Sequence, residues 1–261
     1  MGTEILAKGK TSATGLQDFN ITAPELIQSI HQSYKEAGSE FFLTHSFTCH
    51  PVMLKELKSP YPLKELITQA VKNLQTSAPQ ALHFASIGPC FLDKKQLPKA
   101  SAAIDGYAQV FQHFEDSGLD SILCETIGYT ENLRWVLEAI RHSSKTLKFA
   151  ISLCTSRQGT LLDDSPLENA LPLLNEAPLS FAGVNCGTTL PANRQAIEIL
   201  SKNLDHPLIF RPNKTGDGTM QIEDKNFAQS LTKNLPQKVK FLGACCGATP
   251  QTIKAIKENL Y

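Results

Sequence analysis

The sequence predicts an α/β fold, a (β/α)8 TIM-type barrel that lacks its first strand, in a single domain over residues 1–261. Three observations predict it. Short apolar runs alternate with longer stretches of helical period, the pattern of parallel strands joined by crossover helices. Seven such runs are present, one fewer than the eight that close a barrel. Three cysteines, Cys186, Cys245 and Cys246, follow two of those runs, where a parallel barrel carries its functional groups.

The elements follow in order. Residues 24–37 carry helical period; Thr22 and Glu25 fit a capping box ahead of them, and Gly38 fits a glycine stop. The first strand is expected over 41–44, then a helix over 63–76, a strand over 82–86, and a helix over 104–117 that stops at Gly118. A strand over 121–124, a helix over 131–142, a strand over 148–153 and a helix over 167–176 come next. The set closes with strands over 181–184, 208–210 and 240–242, each followed by a helix: 192–203, 224–234 and 250–260. Every strand run is too short for an ordinary helix and ends in turn or cap residues. An open doubly wound sheet also holds seven strands, but no glycine-rich phosphate fingerprint follows any of them.

Lys+Arg and Asp+Glu both number 25, so the net charge is zero. No basic stripe points to nucleic acid, and no basic amphipathic helix points to a membrane surface. There is no signal peptide and no apolar run near the length of a membrane span. The seven cysteines are an odd count scattered along the chain, which favours reduced thiols over a disulfide framework. A cytoplasmic protein with small-molecule substrates is expected, its oligomeric state left open with a monomer included.

Three thiolates hold zinc with one position open, and an open position means chemistry rather than scaffolding. Neighbouring side chains in a strand point to opposite faces. Cys245 and Cys246 can therefore share one ion only where the backbone turns, and Gly243 and Gly247 supply that freedom. Spacing alone does not fix the metal. Cys49, Cys90, Cys124 and Cys154 read as core filler. His45, His50 and His83 are not assigned to the metal. A redox switch through the vicinal pair ranks last, because a disulfide between adjacent residues is strained.

Gly183-Val184-Asn185-Cys186 and Gly243-Ala244-Cys245-Cys246-Gly247-Ala248-Thr249-Pro250 resemble the two thiolate motifs of the homocysteine S-methyltransferase family. Met1-Gly2-Thr3-Glu4, Glu36-Ala37-Gly38, Thr44-His45-Ser46-Phe47, Ser86-Ile87-Gly88-Pro89, Glu125-Thr126 and Pro212-Asn213 extend the resemblance over nearly the whole chain; the family usually has asparagine at the place of His45. The resemblance implies zinc held by Cys186, Cys245 and Cys246, and methyl transfer to the thiol of homocysteine, giving methionine. It implies that Glu125 holds the substrate's amino group. Asn213 is expected to bind substrate or fill the open zinc position, and Thr3 to offer a hydroxyl or amide to the substrate carboxylate. Phe47 is a candidate wall of the donor pocket.

The chain departs from the family pattern at its start, where an apolar strand and an Asp-Gly-Gly turn normally precede Met-Gly-Thr-Glu. Either the natural product is longer, or it is truncated and weakened, inactive or completed by another chain. Little sequence follows the vicinal cysteines, which favours S-methylmethionine or a similar sulfonium as donor. A subunit that meets a separate methyl-cobalamin carrier is the alternative, and a non-catalytic zinc- or homocysteine-binding protein is the other.

Overall fold

A computed structural model of the protein describes residues 1–215 and 222–260. Seven strands form one parallel sheet in sequential order: β1 Phe41–Leu43, β2 Leu82–Ile87, β3 Ser121–Ile127, β4 Lys148–Leu153, β5 Leu179–Cys186, β6 Leu208–Pro212 and β7 Val239–Leu242. All seven expected strands are present. No pairing joins β1 to β7 among the described residues. The sheet nevertheless curls until its two edges face each other. Phe41 of β1 meets Phe241 of β7 edge-to-face at 5.7 Å, and Phe241 also packs on Phe84 at 5.6 Å and Phe181 at 4.7 Å. This aromatic cluster, with Leu123, Ala150 and Ile209, fills the interior. Aromatic contacts across the gap stand where an eighth strand would supply hydrogen bonds.

The helices are α1 Gly2–Ala7, α2 Phe19–Thr22, α3 Pro24–Glu36, α4 Pro51–Leu57, α5 Leu63–Ser77, α6 Ala100–Asp116, α7 Thr130–Arg141, α8 Leu171–Asn175, α9 Leu190–Asn203, α10 Asp224–Thr232 and α11 Pro250–Glu258. Their apolar faces cover the outer side of the sheet: Val110 and Phe114 of α6, Val136 and Ile140 of α7, and Leu200 of α9 join Ile122, Ile151 and Phe210 in one core. Strands covered on both faces read as nearly continuous apolar runs, which is why they were visible in the sequence.

Gly38 ends α3 with φ of +93°, and its N–H reaches the Lys35 carbonyl at 2.9 Å while Ser39 N–H reaches Tyr34 at 3.0 Å. The capping box expected from Thr22 and Glu25 does not form. Thr22 closes α2, its hydroxyl donates back to the Asp18 carbonyl at 3.1 Å, and Ala23 caps α3 with Pro24 at its first turn. A threonine that can bond one turn back is lost to the helix ahead of it. A capping box forms instead between Thr249 and Thr252 at α11. The helix expected over 167–176 is a 3-10 turn, Leu167–Ala170, followed by the short α8, with Pro172 in its first turn. Helices α1, α2 and α4 were not expected; each has two turns or fewer, too few for a period to register.

Three buried histidines give the fold an acid limit. Burial lowers His31 to about 3, and His45 and His50 to about 4. Neighbouring His45 lowers His31 further, whereas bonds to backbone carbonyls partly oppose the shift at His45 and His50. The unfolded chain takes up these protons near pH 6.5 and the folded one does not. Stability from the neutral rings is therefore complete above pH 6.5 and lost as pH falls through 4. His45 and His50 each contribute at most about 3 kcal/mol to this loss. The melting temperature is expected to drop steeply between pH 6.5 and 4, with a smaller drop in His50→Gln. A flat profile over that window contradicts the assignment.

Candidate active site

The site grows from the C-terminal ends of β3, β5, β6 and β7. On β5, Gly183 lies opposite Ile209 of β6, and a Cβ at Gly183 would stand 1.9 Å from the Ile209 carbonyl oxygen. Only glycine permits this approach. The strand then ends at Cys186, whose φ of +59° and the +70° of Gly187 turn the chain sharply outward. Asn193 of α9 holds that turn through the Cys186 carbonyl at 2.8 Å.

The vicinal cysteines sit in a tight turn. Ala248 N–H donates to the Cys245 carbonyl at 3.1 Å, and Gly247 takes φ of +78° at the third position, where glycine is favoured. The turn brings Cys245 and Cys246 to one side. The sulfurs of Cys186, Cys245 and Cys246 all lie within 4.8 Å of one another, with Cys186 and Cys246 at 3.9 Å. Thiolates about 2.3 Å from a tetrahedral ion stand about 3.8 Å apart. The donor set therefore fits a metal ion with three sulfurs and one position to spare. Among the described residues this is the one such cluster of His, Cys, Asp and Glu. Packed against one another, the thiols hold their protons: Cys186 is raised, first by sharing a hydrogen bond with Cys154, and Cys246 is pushed up to about 11, first by its bond to Cys186.

Asn213 joins the two cysteine loops. Its Oδ1 accepts from Cys246 N–H at 3.1 Å and its Nδ2 donates to the Gly187 carbonyl at 2.7 Å. Both polar atoms are thus engaged by backbone, and Asn213 does not line the cavity. Thr3 does line it, and its Oγ1 accepts from Gly247 N–H at 3.2 Å. Glu125 is buried at the end of β3, where a register shift between Cys124 and Ile127 lets both Glu125 and Thr126 face the cavity. Thr126 holds φ of +62°, rare for a β-branched residue. Asn185 fixes it, accepting from Thr126 N–H and donating to Thr126 Oγ1, both at 2.8 Å.

Arg211, on β6 beside Asn185, pairs with Glu125 Oε2, and Ser86 Oγ donates to Glu125 Oε1. Arg211 was not singled out in the sequence, and Asn185 and Ser86 appeared there only as members of the family-like motifs, with no role. A charged arginine and an amide directly after apolar strand runs were the available signals. The cavity has a volume of about 910 Å³ and takes in Met1, His45, Phe47 and the three cysteines, continuing along the gap between β1 and β7 past Phe41 and Leu242. The ring nitrogens of His45, His50 and His83 meet the carbonyls of Leu16, Ala103 and Ala78 at 2.8, 3.0 and 2.6 Å. Cys49, Cys90, Cys124 and Cys154 are buried.

Together these features define a β/α barrel short of one strand, with a thiol cluster beside a buried acid at the C-terminal mouth of its sheet. The model of the homocysteine S-methyltransferase family matches residues 1–260, and the chain belongs to that family of methyltransferases. It is 27% identical to the homocysteine S-methyltransferase of Escherichia coli, covering 99% of this chain and 93% of that protein. It is 24% identical to the S-methylmethionine–homocysteine S-methyltransferase of Pongo abelii, covering 92% and 70%. Crystal structures of the homocysteine methyltransferase MmuM from Escherichia coli superpose with TM-scores of 0.77 for the apo form and 0.83 for the metallated form, at 25% and 23% identity, covering 99% of this chain and 92% and 93% of those chains. The chain spans 64% of a betaine–homocysteine S-methyltransferase of Rattus norvegicus and 21% of a methionine synthase of Mycobacterium leprae. No helix among the described residues is long and apolar enough to cross a membrane.

Proposed function

We propose that residues 1–261 act as one cytoplasmic barrel domain that moves a methyl group from S-methylmethionine or a similar sulfonium to the thiol of homocysteine, giving methionine. Zinc is the metal of the reading, held by Cys186, Cys245 and Cys246. The convergence of three sulfurs within 4.8 Å carries it. Bound there, zinc supplies the Lewis acidity that favours the thiolate form of an alkyl thiol, the nucleophilic form.

The chain's own residues do the rest. Glu125 offers its carboxylate to the substrate ammonium, a charge-assisted contact. Thr3, expected from the sequence to meet the substrate carboxylate, is read here with the Gly247 turn as bordering the thiol end, its Oγ1 accepting from Gly247 N–H, and Asn213 keeps the two cysteine loops in register for it. Phe47 lines the cavity where a sulfonium can approach. The sulfur lone pair forms the new S–CH3 bond while the old C–S bond breaks and leaves its pair on the departing thioether; the thiol proton goes to solvent. Fixing both partners in line is the barrel's main contribution. The donor is read from the likeness to the sulfonium-using relative, which covers 92% of this chain.

The test is methionine formation by zinc-loaded protein from homocysteine with S-methylmethionine, betaine or methyl-cobalamin in separate reactions. Methionine is expected with the sulfonium and is expected to vanish on chelation. One tightly held zinc with no methionine from any donor would favour a binding protein instead, and turnover with methyl-cobalamin alone would favour a carrier-dependent subunit.

A further inference from the structure

Arg211 is only 6% exposed, and its guanidinium is not fully satisfied. It pairs with Glu125 Oε2 through one terminal nitrogen, while Nε is buried with no partner. A buried cation is costly unless paired and hydrogen-bonded throughout. Arg211 and Glu125 line the same cavity as the three cysteines. β7 leaves room for the arginine stem: a Cβ at Gly243 would stand 3.4 Å from Arg211 Cγ.

We infer that Arg211 binds the α-carboxylate of the substrate and, with Glu125, selects thiols that carry a zwitterionic amino-acid head group. The inference deepens the proposed methyl transfer and rests on it. Glu125 alone would attract any ammonium. With Arg211 beside it, a simple cation is drawn to the carboxylate and repelled by the guanidinium, and gains little. A zwitterion brings the opposite charge to each member of the pair. The planar fork of a guanidinium matches a carboxylate with two parallel N–H bonds, and a free Nε–H is one side of such a fork. Asn185 ties the two ends of the site together: its Nδ2 stands 3.5 Å from Glu125 Oε2 and 3.9 Å from Cys245 Sγ. Head group and sulfur are thereby held a short alkyl chain apart, the build of homocysteine.

The experiment is calorimetric binding of L-homocysteine and of 3-aminopropane-1-thiol, which keeps the thiol and ammonium but has no carboxylate, to zinc-loaded protein. The unaltered protein is expected to bind L-homocysteine about 30-fold more tightly, the worth of a charge-assisted carboxylate contact. Arg211→Met is expected to erase that preference by weakening L-homocysteine alone; Arg211→Lys, which keeps the charge without the fork, is expected to restore part of it. A merely structural arginine predicts that both thiols weaken together. The ligand pair on unaltered protein decides the matter even where Arg211→Met does not fold. Equal binding of the two thiols overturns the role of Arg211 and leaves the methyl-transfer reading standing. Binding of neither thiol overturns both.

Discussion

Replacing Cys246 with serine is expected to lower bound zinc from one equivalent to a trace and to remove methionine formation. The loss in rate is expected on the order of 1,000-fold, above the ten- to hundredfold cost of losing a mere outer partner of a metal ligand. A serine hydroxyl stays protonated near neutral pH and cannot replace a thiolate donor. Two remaining sulfurs leave an ion that needs four donors badly underfilled. The effect is confined to the site because Cys246 is exposed and its backbone bonds to Asn213 and Lys214 do not depend on sulfur. Compared metal-free, the variant should melt with its parent, within about 0.5 kcal/mol of stability; zinc should raise the melting temperature of the parent alone. Metal analysis and turnover on the same preparation check this. Full zinc and full rate in Cys246→Ser contradict it.

Gly183→Ala is expected to have the largest effect on the fold, a loss of about 4 kcal/mol or more, enough to unfold a marginal domain. The added methyl would lie 1.9 Å from the Ile209 carbonyl oxygen and 2.6 Å from the Ile209 side chain. The oxygen belongs to the backbone of the paired strand, so no side-chain rotation relieves the clash. β5 and β6 must separate, and that moves Cys186 at the end of β5 away from Cys245 and Cys246. A control isolates the packing term. Gly118 also disfavours a side chain, with φ of +78°, but nothing lies within 4 Å of the position a Cβ would take. Gly118→Ala should cost only the backbone penalty, about 1 kcal/mol. Denaturant unfolding of the two variants compares them directly; equal stability would remove the argument from close strand approach.

The fold was legible because its strands are apolar on both faces and its helices stop at glycines such as Gly38. The strand ends were less so. β3, β5 and β6 run to Ile127, Cys186 and Pro212, two or three residues beyond where the apolar runs stop. Those extra residues include Glu125, Asn185 and Arg211, polar groups that read as turns yet belong to the strands: Glu125 and Arg211 line the cavity, and Asn185 is bonded to Thr126 beside them. The cysteines were visible by residue type and neighbouring glycines. Arg211 was not, because its meaning lies in Glu125, distant in the sequence and reached only across the sheet. Asn213 looked like a substrate or zinc ligand; in the structure its side chain clamps two loops. The fate of Thr22 was decided by a short helix that no period announces.

The central claim is that three sulfurs of this chain hold one zinc and leave room for the sulfur of a substrate. X-ray absorption at the zinc edge of the purified, zinc-loaded protein tests it most directly. The account predicts three sulfur neighbours at about 2.3 Å, rising to four when L-homocysteine is added and falling back when it is removed. A shell dominated by nitrogen or oxygen, or a sulfur count that homocysteine leaves unchanged, would contradict it.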